Sequence, residues 1–242
     1  MRVSLLDLLS RYLQMQSAIP EHAREPQQPS ITISREVGAG AVTIANMLVE
    51  HLNRAEKHSS EVAPWTVFDN NLARQVLLDH KLPLNLEKFM VEDARLPVDA
   101  IVEELLGLHP TSWTFVQQIT RTILRLASLG RVILVGRAAE IVTKRLPYVF
   151  HVRLVAPLEK RVQHVAEYYG LSVPDAAKRV REEDHARGRY LRRYFDADID
   201  DPLLYDLVIN TGRLGFTRAA ELIAQAAMRN HEEFLKQQLA TG

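Results

Sequence analysis

From residue 31 onward, apolar side chains follow two alternating spacings. Short β-prone runs at Ile31–Ser34, Trp65–Phe68, Arg131–Val135, Val149–Val155 and Leu207–Ile209 predict strands. The spacing predicts helices over Val42–Arg54, Asn71–His80, Pro97–Leu108, Trp113–Leu129, Pro157–Tyr169, Pro174–Arg187 and Thr217–Gln238. Ile44, Ala45, Leu48, Val49 and Leu52 show the three-and-four rhythm of one buried helix face. Pro97, Pro157 and Pro174 suit first-turn positions, where a missing N–H costs nothing. Strands that alternate with helices, and that are apolar throughout as in Val132–Val135, predict an α/β fold. Its parallel sheet should be covered on both faces. Trp65 and Trp113 read as core anchors. Before residue 31, Leu5, Leu8, Leu9, Tyr12 and Leu13 form a helical stripe within residues 1–19. Residues 20–30 carry three prolines without apolar period and predict a linker.

Composition narrows the classes. The 242 residues hold 47% hydrophobic and 25% charged side chains, ordinary for a globular chain. Thirty basic and thirty acidic residues cancel, so no general attraction to nucleic acid or to a membrane surface is expected. No apolar run approaches the length of a membrane span. With no cysteine, disulfides, thiolate catalysis and cysteine-held metals are excluded, which suits a cytoplasmic location. Asp7 interrupts the first apolar run, so a signal peptide is not expected. The N-terminal stripe either packs on its own domain or serves a partner contact such as a homodimer. Only Arg2 and Arg11 are basic there, which disfavours a membrane surface.

Ligands in open parallel sheets bind at the carboxyl ends of strands. The first strand ends in Ser34, and after it come Arg35, Glu36, Gly38, Ala39 and Gly40, then a helix opening on Ala41, Val42 and Thr43. A strand, glycine turn and helix present backbone N–H groups and the positive end of a helix dipole to an anion. Ala41 and Val42 stand where a Walker lysine and its hydroxyl neighbour would be. Arg35 could supply the missing cation, because a guanidinium grips phosphate in two places. It could equally be an ordinary surface arginine. Thr43 is the nearest hydroxyl for a magnesium ion, one residue late. Asp69 ends the second strand and either meets a ligand or caps the next helix. Gly136-Arg137 ends the third; the arginine either points into the crevice or pairs with Glu140. A second cationic group, Arg187, Arg189, Arg192 and Arg193 with Tyr190 and Tyr194, could close over phosphates and exclude water. A solvated charged helix is the plainer alternative. Asp196, Asp198, Asp200 and Asp201 beside it argue against a nucleic-acid patch. The nine histidines show no metal spacing, and no hydrolase motif is present.

Three stretches resemble the cytidylate kinase-like family, a divergent branch of P-loop nucleoside monophosphate kinases. They are Ile31-Thr-Ile-Ser-Arg-Glu-Val-Gly-Ala-Gly, Val132-Ile-Leu-Val-Gly-Arg-Ala138 and Tyr205-Asp-Leu-Val-Ile-Asn-Thr-Gly-Arg-Leu214, in the family's order. The resemblance implies a three-layer P-loop kinase fold over residues 31–228, with a five-stranded parallel sheet. It also implies a nucleotide-binding helical insert at about residues 70–120 and a lid at 182–201, with residues 229–242 as helix end and tail. Ser34 to Thr43 would cradle the phosphates of ATP, and Asn210 and Thr211 would lie at the adenine. Asp69 and Arg137 would face the acceptor nucleotide. Asp184, Arg187 and Tyr190 match the family's acid–arginine–tyrosine lid pattern, with Arg192 and Arg193 adding charge. ATP and magnesium are implied as cofactors, although no clear protein ligands for the metal are visible. Cytidylate kinases have lysine and serine where this chain has Ala41-Val42, and an acid where it has Ala138.

The expected activity is ATP-dependent phosphoryl transfer to a nucleoside monophosphate, CMP first. Arg35, Arg187, Arg192 and Arg193 would stabilise the transferring group. The alternative of another class is a nucleotide-binding pseudokinase with a regulatory or interaction role. A weaker third reading is a related fold that binds another anion, such as a sulfated compound.

Overall fold

The computed structural model describes residues 27–55, 63–69, 112–136 and 138–241. The expected N-terminal helix, most of the linker, both helices expected between residues 71 and 108, and Arg137 lie outside them. The elements are β1 (Ser30–Arg35), α1 (Ala41–Ala55), β2 (Thr66–Phe68), α2 (Ser112–Leu129), β3 (Val132–Val135) and α3 (Ala139–Val142). They continue with β4 (Val149–Val155), α4 (Leu158–Tyr169), α5 (Val173–Phe195), β5 (Leu207–Asn210), α6 (Thr211–Leu214) and α7 (Phe216–Thr241).

All strand pairs are parallel, in the order β2-β3-β1-β4-β5. The chain leaves β1 toward β2 and leaves β4 toward β5, on opposite sides. The ends of β1 and β4 therefore flank the switch point, where a parallel sheet opens a crevice. Helices α1 and α7 cover one face through Ile44, Leu48, Leu52, Ala220 and Ile223 against Ile31, Ile33, Val152 and Leu154. Trp65 is 2% exposed and belongs to this core, as its size predicts. On the other face α2 packs Ile119, Ile123 and Leu126 on Phe68, Val132 and Leu134, with Tyr148 and Phe234 at one end. α7 runs through residue 228 without interruption, and Phe234 contributes to that second core.

Two features depart from the expected pattern. The helix expected to end at Arg187 continues to Phe195, so most of the expected lid, residues 182–195, is helical. Ser172 caps it, accepting a hydrogen bond from the Asp175 backbone N–H. It ends at Asp196 in the left-handed conformation. The second departure is the face of β1 and β4 toward α2, which is polar. Thr32, Ser34, His151 and Arg153 point the same way by two-residue alternation and register, and all are buried. The Thr32 hydroxyl meets His151 Nδ1 at 2.8 Å. Buried polar groups of this kind persist only when paired.

Candidate functional site

The turn after β1 is held from several directions. The Ala39 N–H donates to the Glu36 carbonyl at 3.2 Å, and the Thr211 hydroxyl donates to the Ala39 carbonyl at 2.9 Å. Gly38 adopts φ +82°, and a Cβ there would lie 2.5 Å from the Arg161 carbonyl oxygen. Only glycine combines that backbone with that approach. The side chain of Val37 is buried among Val162, Val165, Ala176 and Val180, inside the hairpin formed by α4 and α5. After this anchored stretch, the backbone N–H groups of Gly38, Gly40, Ala41, Val42 and Thr43 have no partner among the described residues. Those of Ala41, Val42 and Thr43 belong to the open first turn of α1, and the dipole of a fifteen-residue helix stands behind them.

Charges surround the turn. Arg161, on α4, is 7% exposed and acts as a hub. Its Nε donates to the Ala156 carbonyl at 2.9 Å and lies 3.3 Å from Glu36 Oε2. Its Nη1 donates to the Val37 carbonyl at 3.2 Å and to Asp184 Oδ2 at 2.6 Å. Asp184 Oδ1 accepts the Val37 N–H at 2.7 Å and lies 3.6 Å from Arg187 Nη1. Glu36 Oε2 also accepts the Ala156 N–H at 2.8 Å. Two carboxylates, Glu36 in the turn and Asp184 reaching it from α5, thus share the Arg161 guanidinium.

The expected residues separate into groups. Arg187 and Asp184 come to the turn, and Arg187 is 8% exposed. Arg192 and Arg193 do not join them. Both are exposed on the far end of α5, where Arg192 pairs with Asp198 at 3.3 Å and Arg193 lies over Tyr194. The Asp200 backbone N–H, and after it Arg192, hold the Asp198 carboxyl below the usual carboxylate range. Tyr190 packs with Leu191, Ile199 and Ala138, and its ring meets Tyr194 and Phe195. Arg35 is buried, with its guanidinium against Gly136, on the β3 side of the crevice. Gly136 has φ +81° and Ala138 φ +55°, so the turn after β3 holds two left-handed residues. Asp69 is half-buried at the end of β2. Thr211 is buried and holds the turn rather than lying open. Asn210 Oδ1 is a buried acceptor with no partner among the described residues.

A cavity of about 370 Å³ opens beside the turn, lined by Gly38, Lys160, His164, Thr211, Gly212 and Phe216, among others. The Phe216 ring lies against Gly40, and His164 meets it edge-on at 5.2 Å between centroids. The Lys160 ammonium bonds the Gly212 carbonyl.

Sequence reasoning missed the buried basic side chains of β4 and α4. Arg153, 4% exposed, donates to the Ser34 hydroxyl at 3.0 Å and to Asp200 at 2.8 Å. The Tyr205 hydroxyl donates to the Ile199 carbonyl at 2.8 Å and lies 3.3 Å from Ser34 Oγ. Burial, with the Glu140 carboxylate adding to it, pushes that phenol up to about 12. The segment after α5 is thereby pinned to the sheet. The available signal was the alternation of His151 and Arg153 within an otherwise apolar strand.

A model of the cytidylate kinase-like family matches residues 30–213. The chain belongs to the cytidylate kinase-like family. The cytidylate kinase of Pyrococcus horikoshii is 28% identical over 184 residues, 76% of this chain and 80% of that protein. The uronate isomerase of Corynebacterium glutamicum is 33% identical over 115 residues, 48% of this chain but 22% of that protein. The crystal structure of an uncharacterized protein from Eubacterium ventriosum superposes with TM-score 0.60 at 20% identity, covering 83% of this chain and 98% of the other. That likeness concerns the fold alone, helices packed around a sheet of five parallel strands. Among the described residues no helix is long and apolar enough to cross a membrane.

Proposed function

We propose that this family member transfers the γ-phosphoryl group of ATP to a nucleoside monophosphate, with CMP the first candidate. The observation that carries the reading is the set of amides at Gly38 and at Gly40 to Thr43 without a partner among the described residues, at the switch point and beside a cavity with an aromatic wall. An anion on those amides gains the charge-assisted hydrogen bonds that the missing lysine would have supplemented. The donor base would enter the cavity against Phe216 and His164, near Asn210 and Thr211. The acceptor would lie on the side of Asp69 and Gly136, with Arg35 between the two. Kinase-type transfer spreads negative charge over the moving group, so positioning and cations carry the catalysis. Arg187 is the expected source of charge from α5, and Arg192 and Arg193 would contribute only if α5 moves inward.

Among the described residues no group of three or more His, Asp or Glu side chains is placed to hold a metal. Magnesium would therefore be carried in on the nucleotide phosphates, which supply its oxygen ligands, with the Thr43 hydroxyl as an added donor. It would neutralise phosphate charge there. An acceptor phosphate is already ionised and needs no strong base.

The second reading, a nucleotide-binding pseudokinase, is favoured by Ala41 and by the carboxylates of Glu36 and Asp184 at the turn. Loss of one charge-stabilising donor can cost ~10²–10³ in rate. The test is incubation with γ-labelled ATP, magnesium and a panel of CMP, dCMP, UMP, AMP and GMP. Label in a diphosphate product, lost with Arg187→Ala, supports the kinase. Thermal stabilisation by ATP without turnover supports the pseudokinase.

A further inference from the structure

We propose that Asp184 and Arg161 are positioning residues that fasten the phosphate turn to the α4–α5 hairpin. The carboxylate of Asp184 accepts the Val37 N–H at 2.7 Å with one oxygen and the Arg161 guanidinium at 2.6 Å with the other. The same guanidinium nitrogen returns to the Val37 carbonyl at 3.2 Å. Both polar groups of one turn residue are thus held by a single ion pair, and the Val37 side chain is buried in the hairpin core. Gly38 then presses against the Arg161 carbonyl. Three kinds of contact (hydrogen bond, ion pair and apolar packing) converge on Glu36-Val37-Gly38, immediately before the unpartnered amides.

The consequence is mechanical. A glycine turn without its lysine has no side chain of its own to steady a bound phosphate. Here the turn is steadied from outside, by helices on either side of the α4–α5 connection. Any movement of the hairpin is passed to the amides through Val37. Both Asp184 oxygens are engaged, one by the Val37 N–H and the other by Arg161, so its part in the reaction runs through loop geometry rather than through the acceptor.

The kinetic half of the test rests on the kinase reading; the exchange half does not. Hydrogen exchange is followed on the full chain, in peptides spanning residues 36–41, for the native protein, Asp184→Asn, Asp184→Ala and Arg161→Lys. A hydrogen bond to a charged acceptor predicts that Asp184→Ala speeds exchange at Val37 by at least ~10-fold. Asp184→Asn, which keeps an acceptor oxygen, should restore most of the protection, and Arg161→Lys should fall between. Lys178→Ala, at an exposed pair with Glu182, should change nothing. In turnover, Asp184→Ala should lower kcat with the acceptor KM unchanged, and Asp184→Asn should recover it. Unchanged exchange in both Asp184→Ala and Arg161→Lys would overturn the proposal. So would a raised acceptor KM at native exchange, which would put Asp184 on the acceptor. If the native protein turns over no acceptor, the kinase reading fails and the exchange result alone decides the proposal.

Discussion

Gly136→Ala tests whether Arg35 occupies the crevice as a working cation or as filler. The substitution has two separable costs. At φ +81° an alanine Cβ costs roughly 1–2 kcal/mol in any background. The new methyl also lands on Arg35 Nη1, and overpacking of this sort costs about 1–3 kcal/mol. Backbone strain persists when Arg35 is shortened, but the collision does not. Urea unfolding of the native protein, Gly136→Ala, Arg35→Ala and the double variant should therefore show a coupling of about 1–2 kcal/mol. Calorimetric ATP titration should run in parallel. Arg35→Ala should weaken binding at least ~10-fold, the scale of one charge-assisted phosphate contact. Gly136→Ala should weaken it comparably by displacing the guanidinium, with little further loss in the double variant. Additivity within ~0.5 kcal/mol, the behaviour of independent sites, would refute the packing argument. Unchanged ATP affinity in both single variants would remove Arg35 from the phosphate site.

Thr211→Val should destabilise the chain by about 1–3 kcal/mol, because the buried Ala39 carbonyl loses its donor; denaturant midpoints check this. His151 is buried, which pushes its imidazole below the ordinary 6.5, while the Asp206 carboxylate opposes the shift. Its folded pKa is depressed, so the unfolded chain binds the proton first. The stability it contributes is present above pH 6.5 and is lost as pH falls from there through the folded value. Melting temperature against pH should thus decline more steeply below 6.5 for the native protein than for His151→Gln. Trp65→Ala should cost about 3–5 kcal/mol, as for any large buried ring, measured by urea unfolding.

The fold was legible because its strands are either apolar or alternate cleanly, and because prolines and glycines mark the helix ends. Boundaries moved by a residue or two at most strands, where hydrogen bonding rather than hydropathy decides the end. Among the described residues the long error is α5, and it has a physical cause. Residues 188–195 are so rich in arginine and tyrosine that no apolar stripe advertises a helix, yet Ala186, Leu191 and the ring of Tyr190 still supply a buried side. The glycine turn after β1 was visible from Gly38 and Gly40, and the run of charge on α5 from its arginines. Arg161 was not, because a lone arginine in an amphipathic helix gives no sign of burial until Glu36, Val37 and Asp184 are brought around it. Arg192 and Arg193 carried the right charge for a lid but sit on an exposed face. Sequence proximity to Arg187 could not reveal that orientation.

The most direct test of the central claim is transfer of label from γ-labelled ATP to CMP, repeated with Arg187→Ala and read by separation of the diphosphate product. Labelled CDP that falls by at least ~10²-fold in the variant is the predicted result, the scale of one lost transition-state donor. No labelled diphosphate from any of the five acceptors, at concentrations where ATP raises the melting temperature, would contradict it.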